Sequence, residues 1–459
     1  MKVGLLPLGR ATFDVPYAEE KLAGMLAVLD GLDHTFVGPR TLLFDAEATE
    51  AAVADIAEAN VDRLLVLQVT FTDAAALCAA VERLDVPASV WAVPEPRLGG
   101  RLRLNAFCGL NLAVHALGLR ERGCGRAYVD PDAEGAAERV EDALSPLNGG
   151  GWHGRRERST KAGRVVVERL AGKRIARLGE HPDGFDTCRY DAAALRDLAG
   201  VEVVEHPIDA LFAEARGVDD VNEVRAEAEA DVGALDGVDQ EQLTRSLALR
   251  TALERVRAAG SFDAFAIRCW PETFTEYGGA VCAPVAQMGE RRTPCACEAD
   301  VYGALTQLIL QDVADAPIFL VDVVDIDTDD DTAVVWHCGQ APVSMAAGER
   351  RATVHTNRRQ PLLYEFALRP GPVTLMRISQ SWNDPKMILA RAEMLDRPMA
   401  FTGTSGVLRP ASPNEGEGAA DLMRLLMEGG VEHHVALVYG DHMKALKGVA
   451  GALGLPVLE

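Results

Sequence analysis

The chain lacks any uninterrupted apolar run of about twenty residues, the length a membrane-spanning helix needs, and this excludes a transmembrane helix. Paired cysteine spacings are also missing. The nine cysteines are odd in number and scattered, which excludes a disulfide framework or a CxxC…CxxC zinc site and fits a reducing cytoplasm. No GxGxxG follows a strand, and neither GxxxxGK(S/T) nor GxSxG occurs, so dinucleotide, P-loop and hydrolase-elbow chemistry have no footing. Positive charge is scarce: 46 basic against 69 acidic residues give a formal charge of −23. Such a chain repels polyanions, which argues against nucleic acid or an anionic membrane surface and leaves small, neutral ligands as the easier partners. The N-terminal MKVGLLPLGR does not read as a signal peptide, because Gly4, Pro7 and Gly9 break its apolar run. No internal repeat is present.

What the chain does have is material for several cores. At 459 residues, 48% hydrophobic and 25% charged, it reads as a globular protein of two to four domains. Strands at Val3–Leu6, His34–Val37, Leu64–Phe71, Ser89–Val93 and Arg126–Val129 alternate with helices at Tyr17–Leu29, Thr49–Asn60, Asp73–Leu84, Asn105–Leu119 and Glu134–Leu144. That beat predicts a doubly wound domain on a parallel sheet. The Gly/Arg-rich stretch Asn148–Arg158 ends it and marks the first boundary. A second α/β unit follows, with strands at Arg174–Leu178, Val201–Val204 and within FDAFAIRCW, and a polar helical region from Val221 to Gly260 that reads as one or two surface helices or a helical hairpin. The acidic run Asp325–Asp331 lacks the glycine and terminal glutamate of a calcium loop and reads as a solvated linker. Beyond it TAVVWH, RATVHT, LLYEFAL and GPVTLMRIS are separated by glycine and proline turns, as in a small barrel or sandwich, and HHVALVYG is a strand between two helices. The expected fold is two doubly wound α/β domains, at 1–155 and 156–327, followed by a β-rich, barrel-like domain at 328–459.

Two carboxylates carry the chemistry. Glu298 is expected to open the helix of CEADVYGALTQLIL, and Asp322 lies in the apolar strand PIFLVDVV. In a right-handed βαβ unit both come to the carboxyl edge of a parallel sheet, where open α/β sheets bind ligands. Either acid alone has a structural explanation, Glu298 as a complement to the helix dipole and Asp322 as a loop cap. A carboxylate buried in an apolar strand, however, needs a cation or a hydrogen-bond donor to offset its desolvation. Oxygen ligands suit Mg²⁺ or Mn²⁺, and an added imidazole moves the preference toward Mn²⁺ or a later transition metal. His433 and His434 precede the strand VALVYG; on a regular strand neighbouring side chains face opposite ways, so only one of them is expected to reach a site. His337, ending the strand of VVWHCGQAP, is a candidate substrate contact. Trp270, Trp382 and Arg268 are candidates for a stacking face and for hydroxyl or anion contacts, against the commoner packing role for tryptophan. Arg10, just after the first strand, lies on the ligand edge of its own sheet.

These residues resemble the L-fucose isomerase family and, more distantly, the L-arabinose isomerases. The likeness runs over nearly the whole chain and is most specific in CWPETFTEYGG, CEADVYGALTQLIL, PIFLVDVVD, WHCGQAP and GVEHHVALVYG. It implies a cytoplasmic, metal-dependent aldose–ketose isomerase, assembled as a trimer or hexamer, with Mn²⁺ or another divalent cation held by Glu298, Asp322 and His433. Glu298 and Asp322 then also move the proton between C1 and C2 of a sugar such as fucose or arabinose, through an enediol, and His434 falls among the substrate contacts. The chain departs from the bacterial pattern in Leu6-Pro7, in place of an Arg-Pro pair, and in Glu432, in place of an amide. These departures touch the sugar more than the reaction. A sugar-binding module without turnover and a metal-dependent aldolase or epimerase are the alternatives.

Overall fold

The computed structural model describes residues 1–145 and 153–459, so the boundary expected at Asn148–Arg158 falls partly outside the described residues. In the first unit, β1 (Lys2–Leu8), β2 (Thr35–Val37), β3 (Arg63–Gln68), β4 (Ala88–Ala92) and β5 (Cys124–Tyr128) alternate with α1 (Val15–Asp30), α2 (Ala46–Glu58), α3 (Ala75–Leu84), α4 (Ala106–Leu119) and α5 (Ala136–Leu144). The strands form a parallel sheet in the order β2-β1-β3-β4-β5. Chain direction therefore reverses around β1, which opens a crevice at the carboxyl ends of β1 and β3. Helix α4 is apolar nearly all round, and every residue from Ala106 to Gly118 is buried. It packs on β4 on one side and on a strand of the third unit on the other.

The second unit comprises β6 (Arg155–Arg156), α6 (Lys161–Leu170), β7 (Arg174–Leu178), α7 (Ala192–Ala199), β8 (Glu202–His206), α8 (Ile208–Arg216), α9 (Asn222–Val232), α10 (Gln240–Gly260), β9 (Ala264–Ile267), α11 (Cys282–Glu290), β10 (Cys295–Ala296) and α12 (Val301–Ala314). Strands β10-β9-β7-β8, in that order, form a second parallel sheet. The polar region expected to be surface helices is a pair of helices, but α10 buries Leu243, Leu247, Leu249 and Leu253. Its many charges line the outer face and mask the inner one in any average over the segment.

The third unit contains β11 (Phe319–Asp327), β12 (Thr332–His337), β13 (Ala346–Thr353), β14 (Leu363–Leu368), β15 (Gly371–Ser379), β16 (Lys386–Met394), β17 (Thr404–Pro410), α13 (Gly418–Gly429), β18 (His434–Tyr439), α14 (Met443–Leu453) and β19 (Pro456–Leu458). Its sheet runs β13-β14-β17-β12-β11-β18-β15-β16-β19-β6, and an extra β16–β17 pairing closes six of these strands into a barrel. Two expectations are corrected here. Strand β11 does not complete a parallel sheet; it pairs antiparallel with β12 and β18 and belongs to the barrel. A continuous apolar run marks a strand buried on both faces, and it does not say in which sheet. The acidic run is a hairpin, not a solvated linker. Asp327 turns the chain by accepting from the backbone N–H groups of Asp329 and Asp330 at 2.9 and 3.0 Å. Asp325 is 3% exposed and binds Arg97 at 2.6 Å and the Tyr128 hydroxyl at 2.5 Å, which ties the barrel to the first unit.

Candidate functional site

Strand β10 ends at Ala296, and the next residues make one tight turn, Cys297–Ala299, before α12. Within it Glu298 and Ala299 are both left-handed, at φ 57° and 54°. Neither is glycine, so the turn stores strain on the order of 1–3 kcal/mol per residue, the kind that persists where the surroundings over-determine a position. Those surroundings are visible: Trp270 Nε1 donates to Glu298 Oε1 at 2.9 Å, and His433 Nε2 lies 2.9 Å from Oε2. The helix does not open at Glu298, as expected. It opens at Val301, because the Asp300 carboxylate caps it by accepting from Gly303 N at 2.8 Å.

Asp322 on β11 stands directly opposite His434 on β18, and opposite Trp336 on β12. Directly paired residues on antiparallel strands share a face, so the register itself brings these side chains together. Glu298 and Asp322 therefore line one cleft, though not along one parallel edge: the end of the second sheet abuts the barrel. Both adjacent histidines take part. Strand β18 begins at His434, so His433 sits in irregular backbone, free of the alternation that would have turned one ring away.

His434 is the better fixed of the two. Its Nδ1 lies 3.0 Å from Asp300 Oδ2, and Asp300 is gripped by the fully buried Arg377 at 2.5 and 3.0 Å. Burial alone would raise the Asp300 pKa, but the Arg377 charge and the His434 hydrogen bond hold it well below the usual carboxylate range. An ionised Asp300 fixes the proton of His434 on Nδ1 and leaves Nε2 as an open lone pair, the arrangement carboxylates impose on metal-binding imidazoles. That Nε2 lies 3.6 Å from Asp322 Oδ1 and 3.7 Å from Glu298 Oε2. Burial, and then the neighbouring His433 charge, lower the His434 pKa, so the ring stays neutral. Burial likewise opposes ionisation of Glu298, but its bond to His433 wins and brings it down to about 2. Asp322 is raised by burial, and its Oδ1 is buried with no hydrogen-bond partner. The ligand atoms of Glu298, His433 and His434, and those of Asp322, His337 and His434, lie within 4.8 Å of one another, and a set of carboxylate oxygens and imidazole nitrogens of this kind suits a divalent cation.

The cleft over this cluster is lined by Glu298, Asp322, His433, Trp270, His337 and Arg10, the last from the crevice of the first sheet. His337 Nδ1 accepts from Cys338 N at 2.8 Å and faces the Gln340 amide at 3.2 Å, which puts the proton on Nε2. That Nε2 is buried without a partner and is a free donor into the cleft. Two expected substrate contacts lie elsewhere. Arg268 is taken up by Glu272 at 2.6 Å and by the carbonyls of Glu180 and His181. Trp382 packs against Gly118 and Gly430 at the end of α4. A tryptophan in a glycine-lined seam and an arginine four residues from a glutamate look, in sequence, like any other tryptophan and arginine.

Sequence reasoning missed Asp300, Arg377 and Arg358. Asp300 stands two residues after Glu298 in the same motif, and Arg377 is a lone charge in the apolar strand GPVTLMRIS, the signal that singled out Asp322. The first unit also reaches the histidines. From α4, His115 Nδ1 binds Gly430 O at 2.8 Å and Asn111 Nδ2 donates to Val431 O at 3.4 Å, which holds the turn that delivers Glu432, His433 and His434.

Comparison with known proteins bears on this geometry. Residues 4–147 match the family model described as the N-terminal domain of fucose/sulfoquinovose isomerase. The sulfoquinovose isomerase of Alkalicoccus urumqiensis is 30% identical over 99% of this chain and 98% of its own. That of Priestia aryabhattai is 30% identical over 95% of this chain and 94% of its own. Among solved structures, GanP, a glucose-galactose binding protein from Geobacillus stearothermophilus, aligns with 69% of this chain and 92% of its own at 14% identity and a TM-score of 0.22, a likeness too slight to carry an argument.

Proposed function

The chain belongs to the fucose/sulfoquinovose isomerase family and is an aldose–ketose isomerase, and from that premise we propose that its substrate is sulfoquinovose and its cofactor a divalent cation, Mn²⁺ first, held by Glu298, Asp322 and His434. The observation that carries the cation is that two groups sharing His434, namely Glu298 with His433 and Asp322 with His337, each bring three ligand atoms within 4.8 Å of one another, with Asp322 Oδ1 otherwise unpartnered. His434 takes the place that the resemblance gave to His433, because it belongs to both groups and Asp300 orients its lone pair, whereas His433 belongs only to the group with Glu298. Bound there, such a cation supplies Lewis acidity toward the two adjacent oxygens of the sugar.

The remaining work falls to the protein. Isomerisation moves a proton between C1 and C2 through an enediol and exchanges carbonyl and hydroxyl. Glu298 and Asp322 stand on the cluster side of the cleft and exchange that proton with the sugar. Their environments push their pKa values apart, Glu298 down and Asp322 up, as an acid and base pair requires. His337 Nε2–H donates to a sugar oxygen, and the Trp270 ring, held by its bond to Glu298, forms a wall of the cleft. The relatives named sulfoquinovose isomerase support the substrate.

The test is incubation of Mn²⁺-loaded protein with sulfoquinovose, fucose and arabinose, read for ketose, with a chelator control. Ketose from sulfoquinovose that disappears on chelation and returns with Mn²⁺ is the expected result. Turnover indifferent to chelation would remove the cation, and turnover confined to the neutral sugars would remove the substrate. We also propose the trimeric or hexameric assembly implied by the resemblance, which light scattering checks.

A further inference from the structure

The cleft that holds the carboxylates is also lined by two arginines, Arg10 and Arg358. Arg10 follows β1 at the crevice of the first sheet, the place where open α/β sheets receive ligands. Its guanidinium binds Asp73 Oδ2 at 2.8 Å and lies 5.2 Å from the Phe71 ring and 5.5 Å from the Trp270 ring, so its position is fixed from three sides. The same Trp270 donates to Glu298, so one indole separates Arg10 from the reacting acids. Arg358 belongs to a loop fixed by the bonds of Asn357 N and Arg358 N to His355 Nδ1, each 3.2 Å. Among the described residues no carboxylate lies within ion-pair reach of Arg358, although most arginines near this site have one. Both arginines line this cleft, and burial, then the charge of Arg358, lower the Arg10 pKa against the pull of Asp73 and Glu298. His355, which also lines the cleft, adds no charge, since burial and Arg358 push it down to about 3.

Asp73 neutralises one of the two guanidinium groups, and nothing among the described residues neutralises the other. In a protein of net charge −23, a half-buried unpaired arginine in a cleft is a place kept for an anion brought by the ligand. We propose that Arg358, with Arg10, forms the subsite that recognises a tetrahedral anionic group at the far end of the sugar, and so selects a sulfonated or phosphorylated aldose over a neutral one. Guanidinium forks match the oxygens of such groups, and the site penalises a sugar lacking the anion by leaving two like charges facing each other. The subsite rests on reading the carboxylate cluster as the isomerising end of the cleft.

Binding is therefore measured apart from turnover, with open-chain alditols that have no carbonyl to isomerise. Calorimetry compares the alditol of sulfoquinovose, its 6-deoxy counterpart and glucitol 6-phosphate on the full chain and on Arg358→Gln and Arg358→Lys. The wild type is expected to prefer an anionic alditol by about tenfold or more. In Arg358→Gln that preference should fall to threefold or less while affinity for the 6-deoxy alditol holds or rises, and Arg358→Lys should retain part of it. Whether the sulfonate or the phosphate binds tighter identifies which anion the subsite takes. No preference in the wild type, a preference unchanged in Arg358→Gln, or equal loss of all three alditols would overturn the proposal. Failure of the isomerase reading shows separately, as no ketose from any aldose whatever the alditol affinities.

Discussion

At the scale of single residues, the adjacent histidines divide the work. His434 is oriented by Asp300 and points at both carboxylates; His433 makes one bond, to Glu298. His434→Gln is expected to abolish binding of one Mn²⁺ per chain, while His433→Gln keeps the ion and loses turnover; metal content after gel filtration, measured beside ketose formation, checks both. The reverse pattern would return the ligand to His433. Arg377 is a second test. It is fully buried against Asp300, and removing one partner of such a pair strands the other charge, at a cost of about 3–5 kcal/mol. Urea unfolding of Arg377→Met should show a loss of that size, together with weakened Mn²⁺ binding because His434 loses its anchor. Glu298 and Asp322 were legible in the sequence because a carboxylate in apolar surroundings demands a reason. Asp300 was not, since a helix cap is an ordinary use of aspartate and only the fold reveals that it grips both Arg377 and His434.

At the scale of elements, the sequence patterns told strand from helix but not which strands meet. The first sheet was read nearly strand for strand, because each connection there is a helix with its own periodicity. Strand β11 was found and misassigned: pairing is a non-local choice that the strand's own residues do not encode, and β16 and β17, which close the barrel, were not recognised. The turn between α13 and β18 shows what such distant pairings are for. Its carbonyls at Gly430 and Val431 are held by His115 and Asn111 of α4, more than three hundred positions earlier. Replacing His115 by leucine leaves the Gly430 carbonyl buried and unpaired, a cost of about 1–3 kcal/mol. It should also lower kcat more than affinity for the sugar, because the turn carries the histidines and not the cleft walls; steady-state kinetics on the variant checks this, and an intact kcat would show that the turn holds its shape alone.

At the scale of the whole molecule, the first unit and the barrel share a buried polar junction where Asp325 meets Arg97, Tyr128 and the backbone of Glu95. The Glu95 carboxylate accepts from three backbone N–H groups, yet burial dominates and raises its pKa from 4.5 to about 7. A carboxyl group with a raised folded pKa contributes stability that is complete below its unfolded value and is lost as pH rises through the folded one. Glu95 should therefore cost the fold on the order of 3 kcal/mol between pH 4.5 and 7. Chemical denaturation across that interval should show the slope in the native chain and its absence in Glu95→Gln; equal slopes in the two would show that Glu95 ionises normally. Helix α4, buried on all sides between the first sheet and the barrel, has a practical consequence for anyone recombining this chain with its relatives. A crossover that takes Ala106–Leu119 from one parent and Gly429–His434 from the other splits a lock from its key, so productive chimeras must inherit the two stretches together, however far apart they lie in the gene.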